Sequence, residues 1–319
     1  MRPLRVLTWH VHGSYLWYLA HGPYELVLPV KPGRPEGYGG RTPSFAWPDT
    51  VREVPAEAVR DESFDVVLTQ SRRNWEVDRH ELCSDAQLAL PRVHLEHDPP
   101  REVPTDTVHP VDDPDALLVH VTHFNDLMWD SGRTPTTVVE HGVTVPAGVR
   151  WRGDLARGLV VVNGLATRGR RLGVDVFERV RSEVPLDLAG MGSDAYDGLG
   201  DLSHDELPRV TAAYRLFFNP IRYTSLGLAV CEALMLGMPV VGLATTELAA
   251  VLRDGDTGLV DTDVGRLVDG MQALLADRGA AARLGAAGRE MARDRFGIER
   301  FARDWQDVLT RVAGAPIAA

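Results

Sequence analysis

Cysteine and lysine are nearly missing from these 319 residues. Only Cys83 and Cys231 occur, each in an apolar helical setting, so no disulfide framework is available. Reduced thiols in a cytoplasmic protein are expected from that usage. Lysine occurs once, at Lys31, so any phosphate-binding cation in the second half must be arginine. No apolar run approaches the roughly 18 residues that span a bilayer. The opening MRPLRVLTWH reads as a first β-strand rather than a signal peptide. A net charge of −11 leaves little attraction for nucleic acid or anionic membranes. No nucleic-acid partner is therefore expected, and membrane association should be weak or absent. Disorder is excluded by 44% hydrophobic and 25% charged residues, the balance of a folded globular chain.

What is present is a strand–helix alternation, run twice. In the first half Leu4–Trp9, Tyr24–Val30, Asp65–Thr69, Arg92–Glu96, Leu117–Val121 and Thr136–Glu140 are short, apolar and β-branched. Helical stretches are expected over roughly Arg73–Leu90 and Thr122–Ser131, and the Pro- and Gly-rich residues 31–50 read as a long loop. Val145–Arg157 is a break, and the grammar restarts with a strand at Gly158–Asn163 and a helix at Gly173–Ser182. Strands at Leu186–Ala189, Leu216–Asn219 and Pro239–Leu243 follow. Ser203 and Glu206 form a capping-box pattern, and three helices close the chain. Such alternation gives parallel sheets covered on both faces. Two doubly wound domains are expected, 1–150 and 151–319, and the last helix could cross back to the first.

The richest stretch is residues 219–243, NPIRYTSLGLAVCEALMLGMPVVGL. A turn of Thr224, Ser225, Leu226 and Gly227 feeds a short apolar helix that carries one acid, Glu232. Free N–H groups and the positive dipole end of such a helix suit a phosphate. Glu232 on a largely apolar helix needs a partner, which the sugar hydroxyls of a nucleotide would supply. An ordinary helix–strand unit with Glu232 in solvent is the competing reading.

This segment resembles the donor-site signature of the retaining GT-B glycosyltransferases of the family 4 type. Glu232, Ala233, Gly237, Pro239, Val240 and Val241 match its second Glu, small residue, Gly-x-Pro and strand; Thr224 stands where the family has its first Glu. The resemblance implies two Rossmann-like domains facing across a cleft. It also implies ribose binding by Glu232 and a sugar contact at position 224. In these enzymes the loop after the first strand faces the donor pyrophosphate, which suits Gly13. His10-x-His12 as a metal motif and a plain structural turn are the alternatives there. A functional His of the family follows a strand of the first domain; His97 matches it by position, with Asp98 as the alternative. Asn163-Gly164, Arg168, Arg170, Arg171 and Gly173 sit where the family holds the departing diphosphate. Its Lys is replaced by Arg170 or Arg171, and a solvated basic loop is the rival. Glu140-His141-Gly142-Val143 resembles the turn before the interdomain crossing.

The expected function is transfer of a sugar from a nucleotide-sugar donor to an acceptor hydroxyl, with retention. The acceptor is open: a saccharide, a lipid glycoside or a small metabolite. N–H groups of Ser225, Leu226, Gly227 and Leu228, with the Arg cluster, could stabilise the leaving diphosphate without a metal or other cofactor. Asp112-Asp113-Pro114-Asp115 reads as a solvated turn. Two alternatives stand: a GT-B epimerase, with Glu96, Asp98 and Glu140 as its only acid/base candidates, and a non-catalytic partner subunit that binds a nucleotide sugar.

Overall fold

A computed structural model describes residues 2–314. The chain forms two compact units. One takes the chain up to Gly142 and again from Ile298, and the other is Val143–Gly297.

In the first unit seven parallel strands stand in the order β3-β2-β1-β4-β5-β6-β7. They are β1 Arg5–Thr8, β2 Glu25–Val30, β3 Val51–Pro55, β4 Val66–Thr69, β5 Arg92–Glu96, β6 Ala116–His120 and β7 Thr136–Val138. The order reverses between β1 and β4, and the carboxyl ends of strands at such a switch point form the crevice where ligands bind. Gln70 spans that point: its Nε2 donates to Thr8 Oγ1 (2.9 Å) and to the Trp9 carbonyl (3.0 Å). The inner strands β1, β2, β4, β5 and β6 are largely buried on both faces, which is why their sequences run apolar rather than alternating. Helix Ile298–Gly314 lies in this unit and buries Phe301, Trp305, Val308 and Leu309, a stripe at helical spacing. Trp305 Nε1 donates to the Tyr15 hydroxyl at 3.1 Å on helix Gly13–Leu19.

The second unit has five parallel strands in the order β12-β11-β10-β8-β9. These are β8 Leu155–Val161, β9 Leu186–Ala189, β10 Tyr214–Asn219, β11 Val240–Leu243 and β12 Leu259–Asp261. Its switch point lies between β8 and β10. The core is Val160, Leu188, Leu216, Phe218 and Val241 from the sheet, covered by Val176, Phe177 and Val180 of helix Val174–Arg181 and Leu267, Val268 and Met271 of helix Val264–Ala276.

The structure corrects several expectations. The single helix read over Arg73–Leu90 is broken in two: a π-helical turn Asn74–Asp78 runs directly into Arg79–Leu82, and a separate piece, Asp85–Leu88, follows. Cys83 is extended, and Ser84 restarts the helix through a capping box with Gln87. Strands β3 and β12, and helix Gly13–Leu19, were not expected from the sequence. Both strands are sheet edges, where alternating burial is relaxed, and β3 carries charge: Arg52 on it pairs with Glu25 and Glu62.

Candidate active site

Two loops meet at the switch point of the second unit. After β8, Asn163 accepts the Met191 N–H on Oδ1 (2.9 Å), which fixes the loop that follows β9. Gly164 and Gly169 then take left-handed φ values of 63° and 62°, and the chain turns through Leu165–Arg168 and Gly169–Leu172. Gly173, at φ 82°, lies so close to the other loop that a Cβ there would sit 1.9 Å from the Pro220 carbonyl oxygen. That second loop follows β10, and its Arg222 and Tyr223 N–H groups donate to the Arg171 carbonyl at 3.1 and 3.2 Å. The structure thus brings the Asn163–Arg171 set together with the Thr224–Leu228 turn.

Helix Leu228–Leu236 opens on Gly227, whose side of the chain is empty: an added Cβ meets nothing within 4 Å. Gly227 is extended, at φ −73°, and no side chain caps the helix. The Val230 N–H already donates to the Gly227 carbonyl at 3.1 Å, and the Leu228 and Ala229 N–H groups ahead of it are the open donors of the first turn. Thr224 and Ser225 are half-buried, and Leu226 is buried beneath the turn. Glu232 is half-buried on the same helix, among Cys231, Ala233 and Leu234.

Arg168 is exposed at the end of its short helix. Arg170 Nη1 donates to Asp175 Oδ2 at 2.5 Å, and Arg222 grips the same carboxylate with both nitrogens at 2.5 and 2.9 Å. Arg222 hydrogen bonding holds the Asp175 carboxyl below its ordinary range, with the Arg222 and Arg170 charges adding to it. Sequence reasoning missed Arg222 and Asp175. Both lay in or beside quoted motifs, but no spacing marked them as a pair 47 residues apart.

In the first unit, His97 follows β5 and is half-buried. Since Gln70 Nε2 is committed to the Trp9 carbonyl, Gln70 Oε1 is the atom facing His97 Nε2, at 3.3 Å. The network assigns the His97 proton to Nε2 and leaves Nδ1 as an acceptor. Burial pulls the His97 pKa well down, and His12 and His141 add to the effect, so the ring stays neutral near pH 7. His12 and Tyr15 pack on it, with ring centroids 4.1 and 4.8 Å away. Gly13 opens helix Gly13–Leu19, directly after His12. Asp98 is engaged otherwise: its carboxylate pairs with Arg101, its N–H donates to Glu96 Oε1 (2.8 Å), and its carbonyl accepts Trp129 Nε1 (2.8 Å).

His94, Glu96 and His109 place ligand-type atoms within 4.8 Å of one another. The Val111 N–H donates to His109 Nδ1 (3.0 Å), so His109 Nε2 keeps its proton and donates it to Glu96 Oε2 at 3.1 Å. In that tautomer Nε2 has no lone pair for a metal, and the group is a hydrogen-bonded bracket behind the His97–Asp98 turn. His10 Nδ1 lies 2.5 Å from the Gly40 carbonyl, which ties the long loop to the end of β1. In the acidic turn, Asp112 pairs with Arg133 and Asp113 with Arg92. At Gly142 a Cβ would overlap Phe301, and Arg300 donates to the Glu140 carbonyl at 2.9 Å.

Two parallel, doubly wound sheets of this kind define a GT-B fold, and the comparisons agree. Residues 161–277 match the model of the family described as Glycosyl transferases group 1, within the second unit. A D-inositol 3-phosphate glycosyltransferase from a Nocardioides strain is 36% identical over 135 residues, 42% of this chain. The matched segment spans 29% of the length of that relative. Sucrose-phosphate synthase from Thermosynechococcus elongatus superposes with a TM-score of 0.72 at 16% identity, over 99% of this chain and 100% of that one. HepE from Anabaena, solved in complex with UDP, gives 0.68 at 13% identity, over 97% and 99%. Identities this low carry the fold. The family that matches is the one the sequence resembles.

Proposed function

We propose that this protein transfers a sugar from a nucleotide-sugar donor to an acceptor hydroxyl with retention and without a metal. One observation carries the reading. The uncapped helix behind Gly227, with Glu232 on it, is bonded through its approach loop to the arginine-bearing loop after β8. Helix N–H groups and guanidinium forks are complementary to a diphosphate, and Glu232 would accept from ribose hydroxyls. The UDP bound by the Anabaena neighbour supports a nucleotide diphosphate as the ligand class. In the first unit, His97 Nδ1 would accept a hydroxyl of the transferred sugar.

As in the family it resembles, the acceptor hydroxyl would attack from the face that the diphosphate leaves. The sugar C1–O bond to phosphate breaks, the acceptor oxygen bonds to C1, and the acceptor proton passes to the departing phosphate oxygen. The chain's part is to stabilise negative charge on that oxygen by fixed donors. An epimerase is less well served, because Glu96 and Asp98 are both bound into the turn that carries His97. The test is nucleotide release with a panel of donors, with and without excess chelator. Release that persists in chelator is expected. Release abolished by chelator and restored by magnesium or manganese would overturn metal independence, and donor binding without turnover favours the non-catalytic subunit.

Replacing both Arg170 and Arg171 by Ala should weaken nucleoside diphosphate binding at least about tenfold, the scale of one charged hydrogen bond, and leave nucleoside binding nearly unchanged. Equal weakening of both ligands in calorimetry would place the clamp elsewhere. Thr224→Glu tests specificity. A hydroxyl offers a neutral bond about half as strong as a charge-assisted one, so the native donor sugar asks less of this position, as a deoxy or amino sugar would. Turnover of the native donor should fall in Thr224→Glu; a rise with every donor would contradict that account.

A further inference from the structure

At the opposite edge of the second unit, by the amino ends of its strands, segment Gly148–Gly153 is pinned by its backbone. The Trp151 N–H donates to the Leu236 carbonyl (2.9 Å) and the Arg152 N–H to the Ala212 carbonyl (2.7 Å). Trp151 turns inward, its Nε1 donating to the Tyr214 carbonyl at 2.8 Å. Arg150 and Arg152 flank Trp151 on this segment, and all three line one cavity. Arg209, on helix Leu207–Thr211, joins them around a cavity of about 460 Å³ that Gly148, Val149 and Trp151 complete.

The cations here outnumber their partners. Arg152 pairs with Asp154 at 3.0 Å, and Arg278 reaches the same carboxylate at 3.6 Å. Among the described residues, Arg150 and Arg209 pair with no carboxylate. Glu206, one turn before Arg209, is occupied by Ser203, whose N–H and hydroxyl both donate to it. Burial and the neighbouring charges of Arg150 and Arg293 pull the Arg289 pKa down, a sign of like charge held close. In a chain of net charge −11 this is a local concentration of positive charge, which attracts anions.

We infer that the Arg150–Arg152–Arg209 cavity is a second anion site, separate from the donor site, that takes a phosphate-bearing ligand. Guanidinium forks bind phosphate oxygens in pairs, and the volume falls in the usual range for a small-ligand pocket. The phosphate could belong to a soluble phosphate ester or to a lipid headgroup, and two probes separate these sources. Inorganic pyrophosphate is titrated calorimetrically into the full chain, and the chain is sedimented with phosphatidylcholine vesicles with and without phosphatidylglycerol. Binding to at least one probe is expected. It should persist in the donor-loop variant Arg170→Ala/Arg171→Ala, which lacks the diphosphate clamp, and weaken at least about tenfold when Arg150→Gln/Arg209→Gln is added to that variant. Loss of pyrophosphate binding assigns a soluble ester, and loss of vesicle binding assigns a headgroup; each supports the site. No binding by the native chain, or equal binding by the donor-loop variant with and without Arg150→Gln/Arg209→Gln, overturns it. Arg209→Gln alone, a change on an exposed helix face, serves if the double variant does not fold. Because the donor-loop variant is measured alongside, failure here is distinct from failure of the donor site.

Discussion

Gly173→Ala should destabilise the second unit and part its two ligand loops. A left-handed φ of 82° costs an L-residue roughly 1–2 kcal/mol. The added Cβ would also lie 1.9 Å from the Pro220 oxygen and 2.6 Å from its carbonyl carbon. Both are backbone atoms at the end of β10, so relief requires moving a loop rather than a rotamer. Together these give a loss of about 3 kcal/mol or more, lowering the thermal midpoint by roughly 6–12 °C for a unit of this size. Gly227→Ala is the contrast, because its φ is ordinary and a Cβ there meets nothing. It should leave the midpoint unchanged and weaken nucleoside diphosphate binding, since the empty side of Gly227 is where the phosphates are proposed to pass. A midpoint for Gly173→Ala within a degree of the native value would refute the packing argument. Unchanged diphosphate affinity in Gly227→Ala would refute the placement of the phosphates.

The contrast between these glycines shows what could be read from the chain. Gly227 sits in a local signal: a turn, an apolar helix, a lone acid, a Gly-x-Pro stop and a strand, all within 25 consecutive residues. Such signals survive in sequence because each part acts on its neighbours. The need for glycine at position 173 arises from Pro220, and the pairing of Asp175 with Arg222 likewise joins two loops. Neither leaves a spacing to recognise. Gln70 is similar: it reads as an unremarkable polar residue after β4 until β1 is found beside it, with Trp9 61 residues away. The fold was legible wherever strands were buried on both faces and so ran apolar. It was least legible at the edges, where Arg52 and Glu53 of β3 replace apolar residues. The break in the Arg73–Leu90 helix had a sequence mark, the Ser84–Gln87 capping box, which the continuous helical periodicity masked.

Glu232→Gln should weaken nucleotide binding by about 1–3 kcal/mol, a loss of roughly fivefold to over a hundredfold. The side chain is half-buried on a helix whose other residues, Leu228 through Leu236, are apolar, so its charge lacks the dilution that open solvent gives. Gln preserves the shape and one acceptor oxygen but removes the charge that strengthens a bond from a ribose hydroxyl. Affinity alone would not separate a ribose contact from a general electrostatic effect, so the measurement is a cycle. Native chain and variant are each titrated with the nucleoside diphosphate that binds best and with its 2′- and 3′-deoxy forms. If Glu232 accepts from a ribose hydroxyl, one deoxy form should be almost indifferent to the substitution, because the bond is already gone. A variant that loses the same affinity for all three ligands would show that Glu232 acts on the helix or the phosphates instead. No loss for any of them, in a variant with a native thermal midpoint, would remove Glu232 from the site.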